Sequence, residues 1–103
     1  MNLPIEIPQE KIAALCHRWQ ITELALFGSV LRDDFRADSD VDVLISFDPQ
    51  ARHGLFEMVR MREELGTILG REVDLVSRRA IEASRNYLRK KAILESVQVV
   101  HGA

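Results

Sequence analysis

Apolar residues along this chain fall first at helical spacing, then at strand spacing, and the exchange repeats towards the C-terminus. Ile12, Leu15 and Trp19 share one helix face and Pro8 suits a first turn, so Ile7 to Gln20 is predicted as a helix. Ile21 to Phe27 is a short apolar run stopped by Gly28, a strand. Ser29 to Asp34 fits a short helix and Phe35 to Ser39 a polar loop. Val41, Val43, Ile45 and Phe47 then alternate with Asp42, Leu44 and Ser46, the period of a strand, which Asp48-Pro49 ends. Gly54 to Leu69 carries Leu55, Val59, Leu65, Ile68 and Leu69 on one stripe, with Gly70 as a C-terminal stop. Met58 and Met61 on this helix read as core filler. Glu72 to Ser77 is a third strand, Arg78 to Lys91 a basic helix, and residues 93–100 a helix end followed by a last strand. The alternation of helix and strand implies helices layered on one small sheet.

Composition adds little until it is mapped. At 103 residues, with 47% hydrophobic and 29% charged positions, the chain is of ordinary globular type, and one domain over residues 1–103 is expected. No apolar run approaches the roughly 18 residues that span a bilayer. The first residues lack the basic flank and apolar core of a signal peptide, and Cys16 has no disulfide partner, so a cytoplasmic location and no membrane association are expected. The net charge of −2 hides a separation of charge. Six acids stand between Gly28 and Asp48 against Arg32 and Arg36, and six bases between Arg78 and Lys91 against Glu82. One region is built for cations and the other for anions or solvent.

The acidic region carries the candidate chemistry. Gly28-Ser29 is followed, ten residues later, by Asp40-Val41-Asp42. Alternate strand residues share a face and lie about 7 Å apart. Asp40 and Asp42 can therefore hold divalent metal against a phosphate, while Gly28 lets backbone approach that phosphate and Ser29 offers a hydroxyl. Asp74, in the middle of the third strand, joins them if the two strands are neighbours. Carboxylates are depleted in strands and costly to bury unpaired, so all three call for a cation. Metal-assisted phosphoryl transfer uses such a set, with two ions roughly 3.5–4 Å apart. A third carboxylate completes the attacking side and takes the proton. Arg32 and Arg36 either add positive charge at the phosphates or pair with Asp33, Asp34 or Asp38. Asp-x-Asp alone is common. Joined to Gly-Ser at this distance, it should arise by chance in about one chain of this length per thousand at average residue usage.

On these residues the chain resembles the minimal nucleotidyltransferase (MNT) proteins of the DNA polymerase β superfamily. Their hallmark is Gly-Ser, about ten residues, Asp-x-Asp and a later strand Asp, positions filled here by Gly28-Ser29, Asp40, Asp42 and Asp74. The resemblance implies an α/β (α+β) fold with a small mixed sheet and helices mainly on one face. It implies transfer of a nucleoside monophosphate, usually AMP from ATP, to a hydroxyl, with pyrophosphate released and Mg²⁺ required, two ions per site. Asp40, Asp42 and Asp74 would bind metal and catalyse, and Gly28, Ser29, Arg32 and Arg36 would bind the nucleotide. Small MNT proteins are similar to the antitoxins of two-component systems whose toxin is a helical HEPN ribonuclease, neutralised by adenylation of a tyrosine. A HEPN-type toxin is thus the expected partner, in a hetero-oligomer with the toxin or alongside a homodimer. With 103 residues leaving none for an acceptor domain, the acceptor is expected on an open surface or as another protein.

The remaining residues point elsewhere. His17, His53 and His101 follow no metal-ligand spacing and read as surface or helix-end residues. Cys16 and Trp19 read as packing residues, whereas Tyr87 lies between Arg85 and Arg89 and suits either a partner interface or an acceptor hydroxyl. The basic segment could meet a triphosphate, an RNA or an acidic protein. Little aromatic interleaving argues against sequence-specific RNA reading, and a partner protein is favoured. Two other functions stay open: a binding module that occludes the toxin without chemistry, and a nucleotidyltransferase for small molecules or RNA.

Overall fold

A computed structural model describes residues 5–32, 35–36 and 38–102. The sequence-predicted pairing partners Asp33 and Asp34 lie outside the described residues. Helix α1 spans Gln9–Trp19, with Pro8 at its N-cap and Gln20 in the left-handed region at its C-cap. Strand β1, Ile21–Phe27, runs into a single 3₁₀ turn, Gly28–Leu31, in place of the expected short α-helix. Strand β2 is Val41–Phe47, helix α2 Leu55–Leu69 and strand β3 Val73–Ser77. Helices α3, Arg78–Glu82, and α4, Tyr87–Glu95, precede strand β4, Gln98–Gly102.

The single basic helix expected over Arg78 to Lys91 is therefore two. Two side-chain caps start separate helices: Ser77 Oγ accepts from the amide of Ala80 (3.1 Å), and Asn86 Oδ1 from that of Arg89 (3.1 Å). Each satisfies an amide that the first helical turn leaves without a partner.

The sheet has the order β3-β2-β1-β4. β1 pairs antiparallel with both β2 and β4, while β2 and β3 are parallel and joined by the α2 crossover. Parallel neighbours need such a connection, and a helix packed across the sheet supplies it. The two faces divide unequally. Leu24, Leu26, Val41, Val43, Ile45 and Val73 form the main core with Ile12, Leu15 and Cys16 of α1 and Met61 and Leu65 of α2. On the other face Phe27 and Leu44 meet Ile81 of α3 and Ile93 of α4 in a smaller cluster, with the partly buried Val76, Leu94 and Val97 packed against it. The two long helices thus cover one face fully, and the short ones cover part of the other. Asp42 belongs to the partly covered face, because alternation puts it on the side of Leu44.

Candidate active site

The site forms where β1 ends and β2 and β3 begin. Antiparallel register sets Phe27 opposite Asp42, so the chain leaves β1 at Gly28 beside that carboxylate. Parallel register sets Asp42 opposite Asp74, and the ladder continues through the amide of Val41 donating to the carbonyl of Glu72 (3.0 Å). Neighbouring strands lie about 4.8 Å apart, so Asp42 and Asp74 are adjacent on one face, with Asp40 two residues further along. The adjacency of Asp74 that the sequence left conditional is present.

The charges of the three carboxylates act on one another. The Asp42 carboxyl titrates above the usual carboxylate range, first because burial strips it of water, then because Asp74 and Asp40 repel its negative form. The Ser29 backbone amide and the Arg32 charge act in the opposite sense and are outweighed. Asp40 and Asp74 are exposed, and Asp42 is partly buried. Among the described residues no three acidic, His or Cys side chains are drawn close enough to enclose an ion. Asp42 and Asp74 on the strands, with Asp40 one residue before β2, nevertheless offer three hard oxygen donors, Asp42 repelled by both of the others. That donor set suits a divalent cation such as Mg²⁺.

Gly28 has two separate reasons to be glycine. Its φ is +75°, and a Cβ there would lie 2.2 Å from Asp42 Oδ2. The turn and the carboxylate share a space that no side chain can enter. Ser29 is tied back to β2: its amide acts on Asp42 and its hydroxyl donates to the carbonyl of Asp40 (3.4 Å). Ser29 thus contacts the Asp42 carboxylate through its amide and the Asp40 backbone through a long, weak hydrogen bond from its hydroxyl. Of the two candidate arginines, Arg32 bears on Asp42. Arg36 is exposed and contributes backbone instead, its amide donating to Ser39 Oγ (3.0 Å).

Residues outside the site also have definite places. Cys16 is 1% exposed and burial pushes its thiol up to about 11, so it packs and does not react. His53 is not a surface histidine: Nε2 lies 2.7 Å from the carbonyl of Trp19, and its ring packs on Trp19 and Phe47. Trp19 packs against the main core and its indole N–H donates to Glu64 (3.0 Å). Tyr87 is 68% exposed. No helix among the described residues is long and apolar enough to cross a membrane.

A Gly-Ser turn abuts the carboxylates Asp42 and Asp74 at one open end of the sheet. The chain belongs to the nucleotidyltransferase domain family, whose model matches residues 9–100, and it is a nucleotidyltransferase. It is 33% identical over 69 residues to the protein adenylyltransferase MntA of Thermococcus cleftensis, covering 67% of this chain and 68% of that protein. Its fold matches a chain from a toxin–antitoxin crystal structure with AMP-PNP at a TM-score of 0.69 and 18% identity, covering 94% of this chain and 75% of that one. It also matches a chain from the complex of a tri-AMPylated HEPN toxin with its MNT antitoxin from Shewanella oneidensis. There the TM-score is 0.61 and identity 18%, over 92% of this chain and 70% of that one.

Proposed function

We propose that this chain transfers AMP from ATP to a hydroxyl of a partner protein, a tyrosine of a HEPN-type toxin, and so acts as its antitoxin. The observation that carries the reading is the in-register pair Asp42 and Asp74, with Asp40 and Gly28-Ser29 beside it. The open setting of Asp40 and Asp74 favours a large acceptor, since a flat exposed patch suits a protein chain better than an enclosed small molecule. The adenylyltransferase activity named for the Thermococcus cleftensis relative supports a protein substrate.

In this mechanism the acceptor oxygen attacks the α-phosphorus, the bond to pyrophosphate breaks, and the hydroxyl proton leaves to a carboxylate. Asp74, exposed beside Asp42, is placed to receive it. Gly28 admits the phosphates close to backbone, and Ser29 and Arg32 supply donors and positive charge next to them. Asp40, Asp42 and Asp74 would hold Mg²⁺, which when bound offsets triphosphate charge and acidifies the attacking hydroxyl.

The test is incubation of the purified protein with α-labelled ATP, Mg²⁺ and a HEPN-type partner protein. The wild type should label the partner, and Asp40→Asn/Asp42→Asn should lower labelling about a thousandfold or more, since residues acting as one unit fail together. Undiminished labelling by the double variant would refute the site.

A further inference from the structure

The loop that delivers Asp40 is held by a residue outside the signature. Helix α2 ends at Gly70, whose φ of +69° turns the chain, and the Arg71 amide closes the turn on the carbonyl of Gly66 (3.1 Å). The reversal sets Arg71 just before β3, three residues ahead of Asp74. Its guanidinium lies 4.6 Å from the ring centroid of Phe35 and donates to the carbonyls of Arg36 (3.1 Å) and Ser39 (3.5 Å). Phe35 is itself seated against the main core.

The consecutive residues 39, 40 and 41 are thereby tied from different directions. The Ser39 carbonyl accepts from Arg71, the Asp40 carbonyl from Ser29, and the Val41 amide donates to Glu72. The Ser29 and Ser39 ties are both long, the Val41 tie belongs to the sheet, and the firmer hold of Arg71 is on the Arg36 carbonyl (3.1 Å) and the Phe35 ring. Arg71 alone among them reaches back along the loop, to Phe35 and Arg36, before Asp40 is reached. A planar fork suits this work, since it can stack on a ring and donate from its edge together.

We propose that Arg71 is a positioning residue for nucleotidyl transfer. By holding Phe35 and the backbone of Arg36 and Ser39 against the start of β3, it fixes Asp40 beside Asp42 and Asp74. The role rests on the functional reading above, in which those carboxylates form the metal and nucleotide site. Arg71 touches backbone and Phe35 and acts on the reaction through Asp40. A scaffold residue without that role would change stability and leave the affinity of the folded protein for metal unchanged.

The experiment compares wild type, Arg71→Lys and Arg71→Ala by three measurements: hydrogen exchange of metal-free protein, Mn²⁺ titration, and partner labelling with ATP and Mg²⁺. For Arg71→Ala, amides 36–40 should exchange faster while those of β1 stay protected. Its Mn²⁺ dissociation constant should rise about tenfold or more, as for other groups that orient metal ligands. Labelling should fall mainly in kcat at saturating ATP. Arg71→Lys, which keeps the cation but not the fork, should recover part of the Mn²⁺ affinity. Should Arg71→Ala fail to fold, Arg71→Gln carries the same expectation. Unchanged exchange in the loop, or Mn²⁺ affinity within about twofold of wild type in a folded variant, would overturn the clamp. Absence of Mn²⁺ binding by the wild type itself would overturn the functional reading instead, and appears before any substitution is made.

Discussion

Along β2, Val41, Val43 and Ile45 are fully buried against α1 and α2, while Asp42, between the first two of them, turns to the opposite side and meets two like charges. The same seven-residue strand thus serves two surfaces with opposed physical demands. On the long-helix side every strand position is apolar and packed, which stabilises the fold. On the other side the core is the smaller cluster around Phe27, Leu44, Ile81 and Ile93, and the end beyond it holds Asp42, repelled by Asp74 and Asp40. The comparison teaches that the apolar face carries an electrostatic cost on its reverse, one that a bound cation would relieve.

Substitutions on the two sides should separate stability from chemistry. Leu26→Ala, in the main core, should have the largest effect on folding, about 2–5 kcal/mol, with labelling per folded molecule retained. Chemical denaturation beside an activity assay normalised to folded protein checks this. Gly28→Ala should cost about 1–2 kcal/mol from the left-handed backbone. It should also lower labelling far more than that figure suggests, because the new methyl displaces the Asp42 carboxylate. Equal losses of stability and labelling would blur the two faces.

Two smaller effects sharpen the contrast in charge. Glu64 on α2 is pushed up by burial, but donation from Trp19 and Arg18 of α1 outweighs this and holds it below the usual range. Glu64→Gln should therefore lose about 0.5–1 kcal/mol at neutral pH, as for a half-exposed ion pair. A carboxyl lowered by folding stabilises above its unfolded pKa, so this difference should vanish as pH falls through the folded value. Asp42 has the opposite sign: its pKa is raised, so its ionised form opposes folding once pH passes the unfolded value. Asp42→Asn should slightly raise the melting temperature of metal-free protein at neutral pH and lose that advantage in acid. Thermal melts of both variants across pH test the pair together.

Much of this arrangement was legible in sequence, because Gly28-Ser29 and Asp40-x-Asp42 lie on or beside elements whose local geometry is fixed. A turn after a strand and a strand carboxylate need no tertiary knowledge, although Asp40 lies one residue before β2 and not on it as expected. Asp74 was found as a strand carboxylate, but its contact with Asp42 depends on the parallel register set by the α2 crossover. Arg71 was missed because it reaches carbonyls 32 and 35 residues away, and no side-chain pattern marks a carbonyl. The break between α3 and α4 was missed although its caps, Ser77 and Asn86, were in plain view. The continuous run of bases concealed them. The packing of His53 against Trp19 and Phe47 depended on how the segment after Pro49 folds back, which spacing does not encode.

The account turns on whether the carboxylate face performs transfer to a protein. Intact-mass measurement of a candidate HEPN-type partner, after incubation with ATP, Mg²⁺ and this chain, reads that directly. Adenylate-sized increments on the partner are predicted with the wild type and none with Asp40→Asn/Asp42→Asn. Increments of equal yield with both proteins, or an unmodified partner that the wild type nevertheless neutralises, would contradict it.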